Sequence, residues 1–339
     1  MKKKPESITI KTVAERAGVS TATVSHVINS TRFVSEKSKN NVLKAMDDLD
    51  YRPSLIARGL RNRKTNIIGV LMPIMLIDNF DYYFMKLAHG VQNKFRQLGY
   101  DVILSSYDNT LEDEQSKAEA FYVRSIDGLI LLPAEGDHSY LSNNPKISCP
   151  VVLIDRKAEK FHCDCVMSDN YRGSAEAVEA LIAEGHRNIA CISSELNVTT
   201  VLDRIQGYKD SLEKADIRGE NMIIKRGPFD YQTGYRLTEE VLSGGKEATA
   251  IFYTDNVLSM GGLQCLNDRD IAIPDRIAVI GYDDFEWERI VKPPLSVVKQ
   301  PAYEIGEKAA EVLEKRINQE ETEKRDYYLP TELIKRKSF

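Results

Sequence analysis

The chain opens on three short helical patterns. In residues 10–17, Val13, Ala14 and Ala17 share one apolar face. Gly18 supplies the permissive backbone of a tight turn, and Ser20 is placed to cap a second helix. In that helix Val24, Val27 and Ile28 face inward, while Thr21, Ala22, Ser25 and His26 face outward. A third helix is predicted over 35–49, with Ser35 as cap and Val42, Leu43, Ala45, Met46 and Leu49 as its buried stripe. Tyr51-Arg52-Pro53 stops it, because the residue before a proline is pushed out of the helical region. The segment 54–60 has the length of two turns, too short for a stable helix alone in water.

The rhythm then changes. Short continuous apolar runs, 67–72, 102–106, 128–133, 151–155, 189–193, 222–225, 250–253 and 277–281, read as strands. Amphipathic stretches such as 82–98, 112–124, 170–184, 203–214, 231–242 and 256–267 lie between them. Alternating strands and helices predict parallel sheets covered on both faces, with ligands at the carboxyl ends of strands. About 275 residues after the first three helices exceed one ordinary core, so two lobes are expected. The expected organisation is a headpiece over 1–53, a hinge and linker over 54–65, and a two-lobed body over 66–339.

Charge separates these parts. Residues 1–64 hold 14 Lys and Arg against 6 Asp and Glu, while the whole chain carries a net charge of −5. A basic segment on an acidic body is a footprint of phosphate contact. Two helices crossing at a glycine turn, with short polar residues exposed near the second N-terminus, have the form of a helix-turn-helix made for a DNA major groove. No GxGxxG follows the first strand and no GxxxxGK[ST] occurs, which argues against a dinucleotide or ATP enzyme, and no nucleophile–base spacing supports another kind. No cofactor is implied. No apolar run of 18 residues exists, so no membrane span is expected. Five cysteines, an odd number, without a signal peptide fit a reducing cytoplasm. His162-Cys163-Asp164-Cys165 lacks a second ligand pair for a metal.

Thr9-Ile10-Lys11, Val13-Ala14, Ala17-Gly18-Val19-Ser20, Thr23-Val24-Ser25 and Val27-Ile28-Asn29 resemble the headpiece of the lactose-repressor (LacI/GalR) family of bacterial transcription regulators. Residues 24–34, with His26 in place of an arginine, look like its purine- and ribose-repressor branch. The resemblance covers the whole chain. It implies an all-α headpiece with a hinge helix, then an α/β body like periplasmic binding proteins, with two doubly wound parallel-sheet lobes. It assigns Lys11, Thr21, Ala22, Ser25, His26, Asn29, Arg58 and Leu60 to DNA, Leu60 as a minor-groove wedge. The family usually has an acid at Thr12 and a serine at Gly59.

In the body the resemblance points to Tyr83 and Phe84 as stacking surfaces, Asp155-Arg156 at the end of a strand, Arg204 in an Arg-x-x-Gly motif opening a helix, and Asp283 at a second strand end. These residue types suit a polyhydroxylated ring: aromatic faces stack on it, and carboxylates and guanidinium forks bond its hydroxyls. Trp287 could close the site or pack in the core. Thr254 stands where many sugar-binding relatives have Asn, and Asp155-Arg156 departs from the purine repressor. Tyr328–Ile334 matches the family's final strand, and no tetramerising leucine tail follows, so a homodimer on a near-palindromic operator is expected. The implied protein is a repressor controlled by a sugar or sugar derivative. The competing readings are a purine-type corepressor acting on the same DNA-binding regulator, and a solute-binding protein without DNA function.

Overall fold

The computed structural model describes residues 8–29, 32–51, 64–73, 81–144, 147, 149–217, 222–245, 247–320 and 323–339. The chain divides into two compact units, Met1–Thr65 and Asn66–Phe339. The hinge stretch 54–60, with Arg58, Gly59 and Leu60, lies outside the described residues.

The first unit contains α1 (Ile10–Ala17), α2 (Thr21–Asn29) and α3 (Glu36–Asp48). Each start is fixed by a side chain. Thr9 Oγ1 accepts from the Thr12 amide at 3.4 Å, and the Thr9 amide donates back to Thr12 Oγ1 at 3.3 Å. Thr12 thus closes a reciprocal capping box without an acid. Ser20 Oγ accepts from the Thr23 amide and Ser35 Oγ from the Ser38 amide. Gly18 ends α1 in the left-handed region at φ 66°, where a side chain would be strained. Val13, Ala14, Ala17, Val24, Val42 and Ala45 form the core, with Ile10, Val19, Val27, Ile28, Met46, Leu49 and Tyr51 packed against it. Leu43, expected inside, is 46% exposed. Val42 and Ala45 already fill the face that α3 turns to its neighbours, and Leu43 points away from it.

The second unit is two lobes of one design. The first lobe's sheet contains β1 (Ile67–Pro73), β2 (Asp101–Tyr107), β3 (Gly128–Leu131), β4 (Val151–Ile154), β5 (Asp164–Ser168) and β11 (Asp326–Leu329). The second contains β6 (Ile189–Ser194), β7 (Ile223–Gly227), β8 (Ala250–Tyr253), β9 (Ala278–Tyr282), β10 (Ser296–Lys299) and β12 (Glu332–Ile334). Their strand orders, β11-β5-β4-β3-β1-β2 and β12-β10-β9-β8-β6-β7, repeat one another. All pairings are parallel except β10 with β12. Helices α4 (Asp81–Gln97), α5 (Leu111–Val123), α6 (Tyr140–Asn143) and α12 (Ala302–Ile317) belong to the first lobe. Helices α7 (Asn170–Ala183), α8 (Thr199–Lys214), α9 (Tyr231–Ser243), α10 (Asn256–Asp268) and α11 (Trp287–Ile290) belong to the second.

The chain crosses between lobes three times: from β5 to α7, from β10 to α12, and from β11 to β12. The last crossing corrects the sequence reading of 328–334 as one strand. Pro330 has no amide hydrogen for a ladder, so pairing stops there and resumes at Glu332 in the other sheet. β5 hid from the sequence because Asp164 interrupts its apolar run. That carboxylate is buried and held by Arg316 Nε at 2.6 Å and Nη2 at 2.9 Å. Cys163, Cys165 and Met167 pack on one face of the sheet and Val166 on the other. The cysteines therefore serve as core residues, and burial pushes the Cys163 thiol up to about 12. Among the described residues no group of three or more His, Cys, Asp and Glu is arranged to hold a metal ion. Among them, too, no helix is long and apolar enough to cross a membrane.

Candidate functional site

In the headpiece Thr21 and Ala22 open α2 and are exposed, as is Lys11 on α1, while His26 is half-buried. Ser25, expected on the outer face, is only 8% exposed. It lies at the edge of the apolar stripe, where larger neighbours cover a short side chain. Asn29 ends α2, and its side chain lies outside the described residues, as do Arg58 and Leu60.

In the body Tyr83, Phe84, Asp155, Arg156, Arg204 and Asp283 line a single cleft between the lobes, which encloses about 770 Å³ with its mouth included. The fold explains the convergence. Both sheets end at the cleft, and Asp155 and Asp283 are the first residues past β4 and β9. Tyr83 and Phe84 stand in the first turn of α4 and meet edge to face, ring centroids 5.6 Å apart.

Asp155 is bonded on both oxygens. Tyr83 donates its hydroxyl to Oδ1 at 2.9 Å and Arg156 donates Nε to Oδ2 at 3.0 Å. Burial, followed by the charges of Asp155 and Asp283, holds the Tyr83 hydroxyl well above its ordinary pKa. Asp283 accepts from the Gln300 side-chain amide at 2.7 Å. Burial raises its pKa, and the Arg204 charge opposes that rise.

Arg204 sits in the second turn of α8, because the helix begins at Thr199 and not beside the arginine. Its Nε donates to Asn170 Oδ1 at 2.8 Å, and Nη1 to the Thr254 carbonyl at 2.6 Å. The guanidinium lies 3.7 Å from the centre of the Tyr282 ring. Burial works against its charge, but Tyr282, Asp283, Asp155 and Tyr83 more than offset this and raise its pKa. Among the described residues no carboxylate lies within ion-pair distance of it.

Thr254 donates its hydroxyl to Ser193 at 2.9 Å. A longer amide at this position would reach farther into the cleft, so this wall offers less hydrogen bonding than an Asn would. Asp255 beside it caps α10 by accepting from the Leu258 amide, and burial pushes its pKa up to about 7. Trp287 does not reach the cleft. It packs on the second lobe's core and lines a separate hollow with Met260, Leu263 and Val291.

Sequence reasoning missed Asn109, Phe229, Asp255, Asn256 and Gln300 on the cleft wall. Gln300 had a usable signal. It directly follows a buried strand, as Asp155 and Asp283 do, but β10 itself was not recognised.

A three-helix headpiece joined to a two-lobed body with a polar interlobe cleft defines a ligand-responsive helix-turn-helix regulator. Residues 9–54 match the model of bacterial regulatory proteins of the lacI family, and residues 178–339 match a periplasmic binding protein-like domain. The HTH-type transcriptional repressor PurR of Vibrio atlanticus (strain LGP32) is 33% identical over 97% of both chains. The lac repressor dimer bound to operator and the anti-inducer ONPF superposes with a TM-score of 0.86, at 25% identity over 98% of both chains. A LacI family regulator from Enterococcus faecium with bound ribose gives 0.70, at 29% identity over 80% of this chain and 98% of that one. The chain belongs to the lacI family of bacterial regulatory proteins. It is accordingly a DNA-binding transcriptional repressor of that family.

Proposed function

We propose that this repressor binds a near-palindromic operator as a homodimer in the cytoplasm, and that a small ligand it binds without transforming, a sugar or sugar derivative, controls it from the interlobe cleft. The observation that carries the effector reading is the convergence of Asp155, Arg156, Arg204 and Asp283 from both lobes on one cleft that Tyr83 and Phe84 also line. Hydroxyls on a ring can meet carboxylates as donors and guanidinium groups as acceptors, while the ring's apolar face stacks on aromatic surfaces. On the DNA side, Thr21, Ala22 and His26 read base edges, Ala22 through apolar contact such as a thymine methyl, and Lys11 contacts phosphate. Asn29, Arg58 and Leu60 extend the contact as the family resemblance implies. Ser25, being covered, contributes through packing.

The ligand acts by binding one arrangement of the lobes more tightly than another, because equal affinity for both shifts nothing. A purine-type corepressor is the second reading, favoured by the curated PurR relatives at 30–33% identity. The test selects an operator from random DNA with the full chain, then titrates operator binding with sugars and purine bases. A response to a sugar supports the first reading. A response confined to purine bases supports the second. An absence of sequence-specific DNA binding would overturn the DNA assignment.

A further inference from the structure

Arg204 reaches the cleft from a helix, and the residue that aims it stands behind the cleft wall. Asn170 is 2% exposed and is the first residue of α7, just past the crossing from β5. Its Oδ1 accepts from Arg204 Nε at 2.8 Å and from the Tyr282 hydroxyl at 3.2 Å. Its Nδ2 donates to the Ser168 carbonyl at 3.3 Å. A guanidinium nitrogen can only donate and a carbonyl can only accept, so a single orientation of the amide satisfies both. The bond to Ser168, at the end of β5, therefore keeps Oδ1 turned toward Arg204 and Tyr282. Those two are the guanidinium and the ring on which it stacks.

The backbone is shaped for this contact. Gly207 lies three residues after Arg204, on the same side of α8. A Cβ at Gly207 would come within 2.3 Å of the Tyr171 carbonyl oxygen and 3.0 Å of the Ala175 amide nitrogen. Any larger residue would have to push α8 away from the start of α7. The close approach is what brings Arg204 Nε within reach of Asn170. The Arg-x-x-Gly motif thus acquires a physical reading: the arginine serves the cleft, and the glycine sets its distance from the amide that holds it.

We propose that Asn170 is a positioning residue of the effector site, fixing the Arg204 guanidinium against the Tyr282 ring so that it meets the effector already oriented. This rests on the reading of the cleft as the effector site. Without the Asn170 oxygen, Arg204 Nε and the Tyr282 hydroxyl both lose a buried acceptor.

The test has two readouts on the full chain. The first is hydrogen exchange at arginine Nε–H groups, followed by NMR, with the Arg204 signal assigned as the one missing from Arg204→Lys. Arg316, whose Nε donates to Asp164 at 2.6 Å, is the internal control. Asn170→Ala should speed exchange at Arg204 about 10-fold or more and leave Arg316 unchanged. Asn170→Asp keeps the acceptor and should keep Arg204 protected. The second readout is calorimetric titration with D-ribose, D-glucose, adenine and guanine. Whichever of these binds the parent chain should bind Asn170→Ala about 10-fold or more weakly, while operator binding in its absence is unchanged. Protection of Arg204 that survives in Asn170→Ala would overturn the proposal. So would a joint loss at Arg204 and Arg316, which would mark a general loosening of the fold. Lost protection with undiminished probe affinity would overturn the role in effector binding. Failure of every probe to bind the parent chain would count against the effector reading itself, and the exchange result would still decide whether Asn170 positions Arg204.

Discussion

Asp155 and Asp283 hold equivalent positions in two related lobes and face one cleft. Each follows the fourth strand of its sheet counted from β2 or β7, and each has left-handed backbone, at φ 69° and 71°. The Asp155 amide donates to Val166 at 2.9 Å, and the Asp283 amide donates to Val298 at 2.8 Å. The backbone turn that ends each strand is also what swings each carboxylate into the cleft. Asn adopts this region more readily than Ala does. Asp155→Asn and Asp283→Asn should therefore melt close to the parent chain while losing effector affinity. The alanine variants should lose affinity and also about 1 kcal/mol of stability. Thermal melts paired with ligand titration separate the two effects.

Thr12 shows how the headpiece works without the family's usual acid. Its hydroxyl closes the capping box with Thr9. Thr12→Ala should cost about 0.5–1 kcal/mol of headpiece stability. Thr12→Glu, which keeps the reciprocal bond and adds a charge favoured at a helix N-terminus, should raise stability by a few tenths of a kcal/mol, or about 0.3. Chemical denaturation followed by a probe in the headpiece reads both.

His26 is half-buried on α2, close to the exposed Thr21 and Ala22. His26→Ala should relax specificity at one position of each half-site, at a cost of about 1–3 kcal/mol for the preferred base. Binding to a set of single-base operator variants checks it. Equal losses on every sequence would mean a phosphate contact instead.

Glu288 gives the fold a pH dependence. Its carboxyl is buried behind Asp283 and Asp284, accepts from the Phe285 amide at 2.6 Å, and leaves Oε1 unpartnered. Burial pushes its pKa up to about 9. The folded chain thus holds a proton that the unfolded chain releases near 4.5. Its contribution is fully present below the unfolded value and is lost as pH rises toward 9. Glu288→Gln keeps an acceptor for the Phe285 amide and cannot ionise. Its melting advantage over the parent chain should grow from pH 5 to pH 8 and reach at least about 1 kcal/mol. A constant offset across that range would show that Glu288 does not titrate there.

The parts legible in the sequence were those where local pattern and tertiary environment agree. The caps at Ser20 and Ser35, the turn at Gly18 and the largely apolar, fully buried runs of β1, β3, β4, β6, β8 and β9 all carry their own signal. Asp155 and Asp283 stood out because charges at the end of a buried strand need a reason. What stayed hidden depends on distant partners. Asp164 looks foreign to a strand until Arg316, far along the chain, neutralises it. Asn109 and Phe229 come from connections whose sequence gives no hint that they meet. Ser25 misled because the burial of a short residue at a stripe's edge is decided by its neighbours' size.

The most direct measurement is operator binding by the full chain and by Arg204→Ala, with and without the effector identified by titration. Arg204→Ala removes the donor from the Thr254 carbonyl and the charge over Tyr282. The account predicts that both proteins bind operator equally without effector, and that only the parent chain changes its affinity when the effector is added. An effector response that survives in Arg204→Ala would contradict the assignment of the cleft as the control site.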